Sequence, residues 1–291
     1  MRADLPLRGI ALMLSAMAVL PFLDVLAKSL GNQGVPVLQI VWARMTFGAV
    51  LTLPFALRIG GTRALVPDRP AMHALRATLL ICATALFFLA LRTLPIADAL
   101  AIFFVQPLVI TMFSSLILGE SVGWRRWAAV AVGFVGVLII IRPGFQAFDA
   151  GMAYALLAGA SLAFYMLMTR RISGQAHAMV TTFQTSLLGA ALMTALVMAL
   201  GWQAVTPGQW QMLVGVGLVA TGGHFLIVKA YDNAEASLLA PLGYTEMIMA
   251  VALGWYFFGD FPDRWTFVGV GILIASAIYI SMREQARRRV G

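Results

Sequence analysis

Gly9-Ile10-Ala11-Leu12-Met13-Leu14-Ser15-Ala16 has a counterpart later in the chain, Gly151-Met152-Ala153-Tyr154-Ala155-Leu156-Leu157-Ala158. The correspondence extends outward from both. Phe22 aligns with Phe164 and Lys28 with Arg170. Farther on, Ala97-Asp98-Ala99 corresponds to Ala234-Glu235-Ala236, and Leu118-Gly119-Glu120 to Phe258-Gly259-Asp260. Arg126-Trp127 with Gly133 corresponds to Arg264-Trp265 with Gly271. The matches keep their order at a near-constant offset, so the chain reads as one unit written twice.

Composition decides the solvent of that unit. Hydrophobic residues make up 61% of the 291 residues and charged residues 11%, against about 25% charged in an ordinary soluble domain. A soluble fold of this size cannot hide so much apolar surface. A soluble enzyme, a disordered chain and a disulfide scaffold are therefore excluded; the single Cys82 has no intramolecular partner. The net charge of +8 comes from basic residues dispersed between apolar runs, which argues for membrane orientation and against nucleic acid.

A spanning helix needs roughly 20 apolar residues. Hydropathy places ten spans near 9–30, 36–57, 71–92, 97–118, 125–141, 151–170, 179–199, 209–229, 236–258 and 264–281. The first run, with Arg2 and Arg8 ahead of it and Ala16-Met17-Ala18 within it, imitates a signal peptide. It continues apolar to Leu30, so it is read as a retained span. With ten spans, both termini share a face. That face collects Arg2, Arg8, Arg58, Arg63, Arg69, Arg76, Arg125, Arg126, Arg170, Arg171, Lys229 and the arginines of 283–289, whereas Lys28, Arg92, Arg142 and Arg264 fall on the other. Positive loops stay cytoplasmic, so both termini are expected in the cytoplasm, with the protein multi-pass in the cell inner (cytoplasmic) membrane.

The expected architecture is all-α: two repeats, 1–144 and 145–291, each of five helices. Five is odd, so the second repeat enters the bilayer inverted, and the two enclose a central cavity. Such a pair exposes one site alternately to either face.

The run Ala90-Leu91-Arg92-Thr93-Leu94-Pro95-Ile96-Ala97-Asp98-Ala99, then Gln106-Pro107, Leu118-Gly119-Glu120, Gly133-Phe134-Val135-Gly136 and Pro143-Gly144, resembles the EamA family of the drug/metabolite transporter superfamily. The resemblance covers nearly the whole chain. It implies ten helices as two inverted repeats around a cavity. It departs from the family in Asp260, where glutamate is frequent, and in Glu246, close to where proline is common. Phe22-Leu23-Asp24-Val25-Leu26-Ala27-Lys28 and Pro36-Val37-Leu38-Gln39-Ile40-Val41-Trp42-Ala43-Arg44 are similar to a branch that includes riboflavin and S-adenosylmethionine uptake proteins. The implied function is secondary transport of a small organic metabolite, such as a vitamin, S-adenosylmethionine or an amino acid. Export by the same fold is the alternative, and an intramembrane enzyme a remote one. The expected partners are that substrate and the lipid bilayer, with protons as a candidate coupling ion. No cofactor, metal or nucleic acid is expected, and the chain is a monomer or a homodimer.

Ionisable residues in the hydrocarbon region are costly and point to function. Asp24 and Arg44 lie inside spans one and two. They make either an outer gate or clamp for a charged or zwitterionic ligand, or a structural ion pair, with Lys28 one turn away as a competitor for Asp24. Glu246 and Gln106 lie near the middle of spans nine and four, which are repeat partners, so both are expected at one central axis. Glu246 offers proton coupling or a counter-charge for a cationic substrate; a hydrogen-bonded packing role is the bland reading. Tyr244 is two residues away and faces elsewhere on a helix. His224 follows Gly222-Gly223 and is a proton relay or a packing histidine. Tyr165 is a candidate cavity-lining group. Pro107 and Pro241 are expected to kink their spans. Ala129/Gly133 and Gly271/Ala275 are expected to pack helices closely.

Overall fold

The computed structural model describes residues 6–119, 123–142, 149–172, 177–234 and 236–288. Glu120, Pro143, Gly144 and Glu235, quoted above, lie outside the described residues. The described chain is helical throughout, with no strand. In order, the helices are α1 (Pro6–Val19), α2 (Pro21–Asn32), α3 (Val37–Gly60), α4 (Pro70–Ala90), α5 (Ile96–Phe103), α6 (Gln106–Leu118), α7 (Trp124–Ile141), α8 (Ala150–Arg171), α9 (Ala178–Leu200), α10 (Pro207–Asn233), α11 (Ala236–Leu239), α12 (Glu246–Phe258) and α13 (Arg264–Arg288). A 3₁₀ segment, Ala240–Thr245, joins α11 to α12.

Seven helical stretches are long and apolar enough to cross a membrane: Leu7–Asn32, Val37–Leu65, Pro70–Ala90, Ile96–Leu118, Ala150–Arg171, Ala178–Leu200 and Pro207–Asn233. Three shorter apolar helices, Trp127–Ile141, Leu242–Phe258 and Arg264–Tyr279, fall on the remaining expected spans.

Three of the expected spans are broken. α1 gives way to α2 at Leu20, because Pro21 has no N–H to continue the ladder. α5 gives way to α6 at Phe104-Val105, ahead of Gln106-Pro107. The ninth span is interrupted by the 3₁₀ segment that contains Pro241. Pro54 sits within α3 without breaking it. The breaks place Asp24 in the first turn of α2, Gln106 at the start of α6 and Glu246 at the start of α12.

The most extensive packing joins α3 to α9, α7 to α13, α4 to α8 and α1 to α10. Every one of these contacts links a helix before residue 142 to one after residue 149. At the α7–α13 crossing the backbones touch: a Cβ on Gly136 would lie 2.8 Å from the Gly269 carbonyl, and one on Gly269 would lie 2.6 Å from the Gly136 carbonyl. Gly133 is also packed, beneath Leu108 and Ser276, and the Ser276 hydroxyl donates to the Ala129 carbonyl. Gly271 is not part of this crossing and has open space where a Cβ would stand. The expected small-residue contact on the last helix therefore moves two residues back, to Gly269, which is set by the rotation of α13 against α7.

One edge of the bundle is laced by polar contacts. The Lys28 ammonium donates to Asp260 Oδ2 and to the Leu94 carbonyl, both at 2.8 Å, and lies 5.0 Å from the centre of the Phe258 ring. It is thus drawn away from Asp24, one turn behind it. Arg142, in the left-handed conformation that ends α7, pairs with Asp263. The Thr266 hydroxyl donates to Asp98 at 2.8 Å, and the Thr93 hydroxyl to Asp149 at 2.7 Å.

Candidate functional site

The helix breaks and the membrane-buried charges meet in one region. Asp24 is buried in the first turn of α2. It interacts electrostatically with Glu246 of α12 and Arg44 of α3. Arg44 donates from Nη1 to the Thr84 hydroxyl on α4, and its Nη2 lies 3.4 Å from His224 Nε2 on α10. Tyr165 on α8 lies within electrostatic reach of Arg44. Five of the seven expected site residues, Asp24, Arg44, His224, Glu246 and Tyr165, thus belong to one connected set.

The set has a definite hydrogen-bond polarity. The Thr84 hydroxyl donates to the Leu80 carbonyl at 2.8 Å, so its lone pairs face Arg44. A guanidinium only donates, so His224 Nε2 accepts and its proton sits on Nδ1. Among the described residues no carboxylate closes an ion pair with Arg44. Two of its five N–H groups are used, on Thr84 and His224. Asp24 and Arg44 therefore do not form the direct structural pair that their spacing allows. His224 is exposed. Gly223 beside it seats Leu20, from the α1–α2 break: a Cβ there would lie 2.5 Å from Leu20 Cδ2.

Gln106 and Tyr244 stand apart from this polar set. Gln106 Oε1 is buried with no hydrogen-bond partner. Tyr244 packs edge-on against Phe104, 5.3 Å between ring centres, and so joins the 3₁₀ segment to the α5–α6 break. No hydrogen bond reaches Gln106 Oε1 from Glu246 or any other group among the described residues.

Thr84 and Arg76 are the members that sequence reasoning missed. A threonine in an apolar helix commonly bonds back to its own backbone and gives no signal in sequence. Arg76 reads as a topological charge near a span end. In the structure it is 1% exposed and lies against Tyr165, its Cζ 5.2 Å from the ring centre. Trp42 and Gln184, polar-tipped side chains inside the spans, are used in packing. The Trp42 indole donates to Thr194 at 2.9 Å, and the Gln184 amide donates to the Ala64 carbonyl at 3.1 Å.

The sequence pattern of the EamA-like transporter family matches residues 7–142 and again residues 149–282. The chain belongs to the EamA-like transporter family. It is a multi-pass membrane protein. An S-adenosylmethionine uptake transporter of Rickettsia prowazekii is 26% identical over 281 residues, 96% of this chain and 94% of the relative. A riboflavin transporter of Vibrio cholerae is 31% identical over 291 residues, 98% and 96% of the two chains. A pseudopaline exporter of Pseudomonas aeruginosa is 24% identical, covering 97% and 99%. A solved crystal structure shares the fold, with a TM-score of 0.67 at 18% identity over 99% of this chain and 98% of the other.

Proposed function

We propose that this EamA-like protein is a secondary transporter that carries a small amphoteric metabolite across the bacterial inner membrane by alternating access. The observation that carries this reading is the polar set itself. One guanidinium, two carboxylates and an imidazole meet where helices from both ends of the chain converge. Arg44 holds the substrate carboxylate, and Asp24 and Glu246 hold its cationic end. Asp24 and Glu246 both lie in first turns of resumed helices, where the helix dipole favours negative charge. This is the placement of charge at helix breaks that suits a midplane transport site. Names among the relatives support the substrate class: S-adenosylmethionine carries an amino-acid group and a sulfonium.

The architecture proposed is ten spans in two inverted repeats, 1–144 and 145–291, with both termini cytoplasmic. The packing supports it. Exchanging the first five spans for the last five turns α4–α8 into α10–α1, and leaves α3–α9 and α7–α13 in place. The repeat-initiating glycines behave alike: Gly9 lies against Ala230 and Ala234 at the end of α10, and Gly151 against Thr93 and Leu94 beyond the end of α4. Because these contacts interleave the repeats, the moving bodies are composite bundles, α1-α2-α3-α10 against α4-α8-α9, and not the two sequence halves. The match to a pseudopaline exporter supports export as a second reading.

Uptake of S-adenosylmethionine and of riboflavin into proteoliposomes tests the proposal. Wild-type protein is expected to move S-adenosylmethionine. Asp24→Asn and Arg44→Gln are expected to lose it by at least about tenfold. Glu246→Gln is expected to stay folded and lose the pH dependence of transport; an unchanged pH profile removes its coupling role.

A further inference from the structure

We propose that Arg76 is a second anion-binding station on the transport path, which receives the substrate carboxylate after it leaves Arg44. The proposal rests on the reading of the central site as one for an amphoteric solute. Arg76 and Thr84, the partner of Arg44, lie on the same helix, α4, eight residues and about 12 Å apart along its axis. Tyr165 of α8 spans the interval. It lies within electrostatic reach of Arg44 on one side, and on the other its hydroxyl accepts from Arg76 Nη2 at 3.4 Å while its ring lies beneath the guanidinium.

The surroundings of Arg76 leave a charge unanswered. Nε donates to the Thr169 hydroxyl at 3.0 Å, and that hydroxyl donates onward to the Tyr165 carbonyl at 2.7 Å. Nη1 lies 3.4 Å from His73 Nδ1. All three partners are neutral acceptors in these contacts. Asp68 acts on His73, but among the described residues no carboxylate forms an ion pair with Arg76. A guanidinium has five N–H donors. Three are used, and the two left over are one on each terminal nitrogen, the pair that forks onto a carboxylate. A buried cation without a counter-charge is expensive to keep, and burial excludes a role in meeting lipid headgroups. A cation retained there for function needs an anion that is present only part of the time. The transported carboxylate is that anion. α8, which belongs to the same composite bundle as α4, holds the station in place through Tyr165 and Thr169.

The test uses full-length protein in proteoliposomes and two probes, S-adenosylmethionine and its decarboxylated form. Arg76→Gln is expected to lower the maximal rate for S-adenosylmethionine about tenfold, with the half-saturating concentration within about twofold, and to leave the decarboxylated probe unaffected. Arg76→Lys keeps the charge without the fork and is expected to fall between the two for S-adenosylmethionine alone. If Arg76→Gln does not yield a monodisperse protein, the lysine variant decides. An unchanged S-adenosylmethionine rate, or an equal loss for both probes, overturns the proposal while leaving the central site intact. Wild-type protein that moves neither probe overturns the amphoteric reading of the central site.

Discussion

Gln106 and Glu246 hold the same station in the two parts of the chain: each is the first residue of the helix that resumes after a break. They differ in what surrounds them. Glu246 interacts with Asp24, whereas the Gln106 oxygen is buried without a partner. An orphaned buried oxygen costs about 1–3 kcal/mol, so Gln106→Met is expected to melt at or above the wild-type temperature. Its transport rate is expected to drop about tenfold if the oxygen serves the substrate. Thermal unfolding in detergent and proteoliposome uptake, measured on the same preparation, separate the two effects.

Arg44 is predicted to be irreplaceable by lysine. It reaches Thr84 and His224 from two different nitrogens, and an ammonium cannot fork. Arg44→Lys is expected to fold and to bind S-adenosylmethionine at least about tenfold more weakly. Equilibrium binding in detergent reads this out; wild-type affinity would sink the clamp.

The Lys28–Asp260 pair is half-sheltered, with side chains 10% and 31% exposed. Lys28→Met and Asp260→Asn are each expected to destabilise by about 1 kcal/mol, less than a fully buried pair. Because the contact joins α2 to the loop after α12, the double variant is expected to cost less than the sum. A double-mutant cycle on thermal stability measures the coupling.

Gly136→Leu and Gly269→Leu are expected to destabilise by about 1–3 kcal/mol or more through overpacking. Gly271→Leu, with open space around it, is expected to stay close to wild type. Comparing the three unfolding midpoints checks the assigned crossing.

Asp263 lies ahead of α13 and outside the spans. Partial burial pushes its carboxyl upward, but the Thr266 backbone N–H and the Arg142 guanidinium outweigh this and hold it below the usual carboxylate range. A carboxyl lowered on folding stabilises above its unfolded value of about 3.9, and that contribution is lost as pH falls through the lower folded value. Asp263→Asn is therefore expected to melt lower at pH 6, with the gap to wild type closing toward pH 3. A gap that widens on acidification would contradict the sign.

The apolar runs and the doubled motifs made the helical membrane fold readable, because both are written linearly. Pro107 and Pro241 announced two of the three breaks. Pro21 makes the third by the same chemistry, but the break is not read there because the apolar run passes through it without a polar marker. The charges Asp24, Arg44 and Glu246 stood out because few ionisable residues lie in the spans. Side-chain direction was not legible. Lys28 is one turn from Asp24 in sequence yet points to Asp260, 232 residues on. Arg76 looks like an orienting charge until α8 is packed over it. Gly271 repeats the spacing of a close contact, but the rotation of α13 gives that place to Gly269.

The interleaving of α1 with α10, α3 with α9, α4 with α8 and α7 with α13 bears on descent. A polypeptide ending at residue 142 would leave the faces of α1, α3, α4 and α7 bare of their main neighbours. On the proposed inverted architecture, a half-length ancestor would have completed itself by enlisting another copy standing upside down in the bilayer. Gene fusion would then have fixed that one-to-one, head-to-foot assembly in a single chain. It would also have freed the two copies to diverge, one carrying Gln106 and the other Glu246.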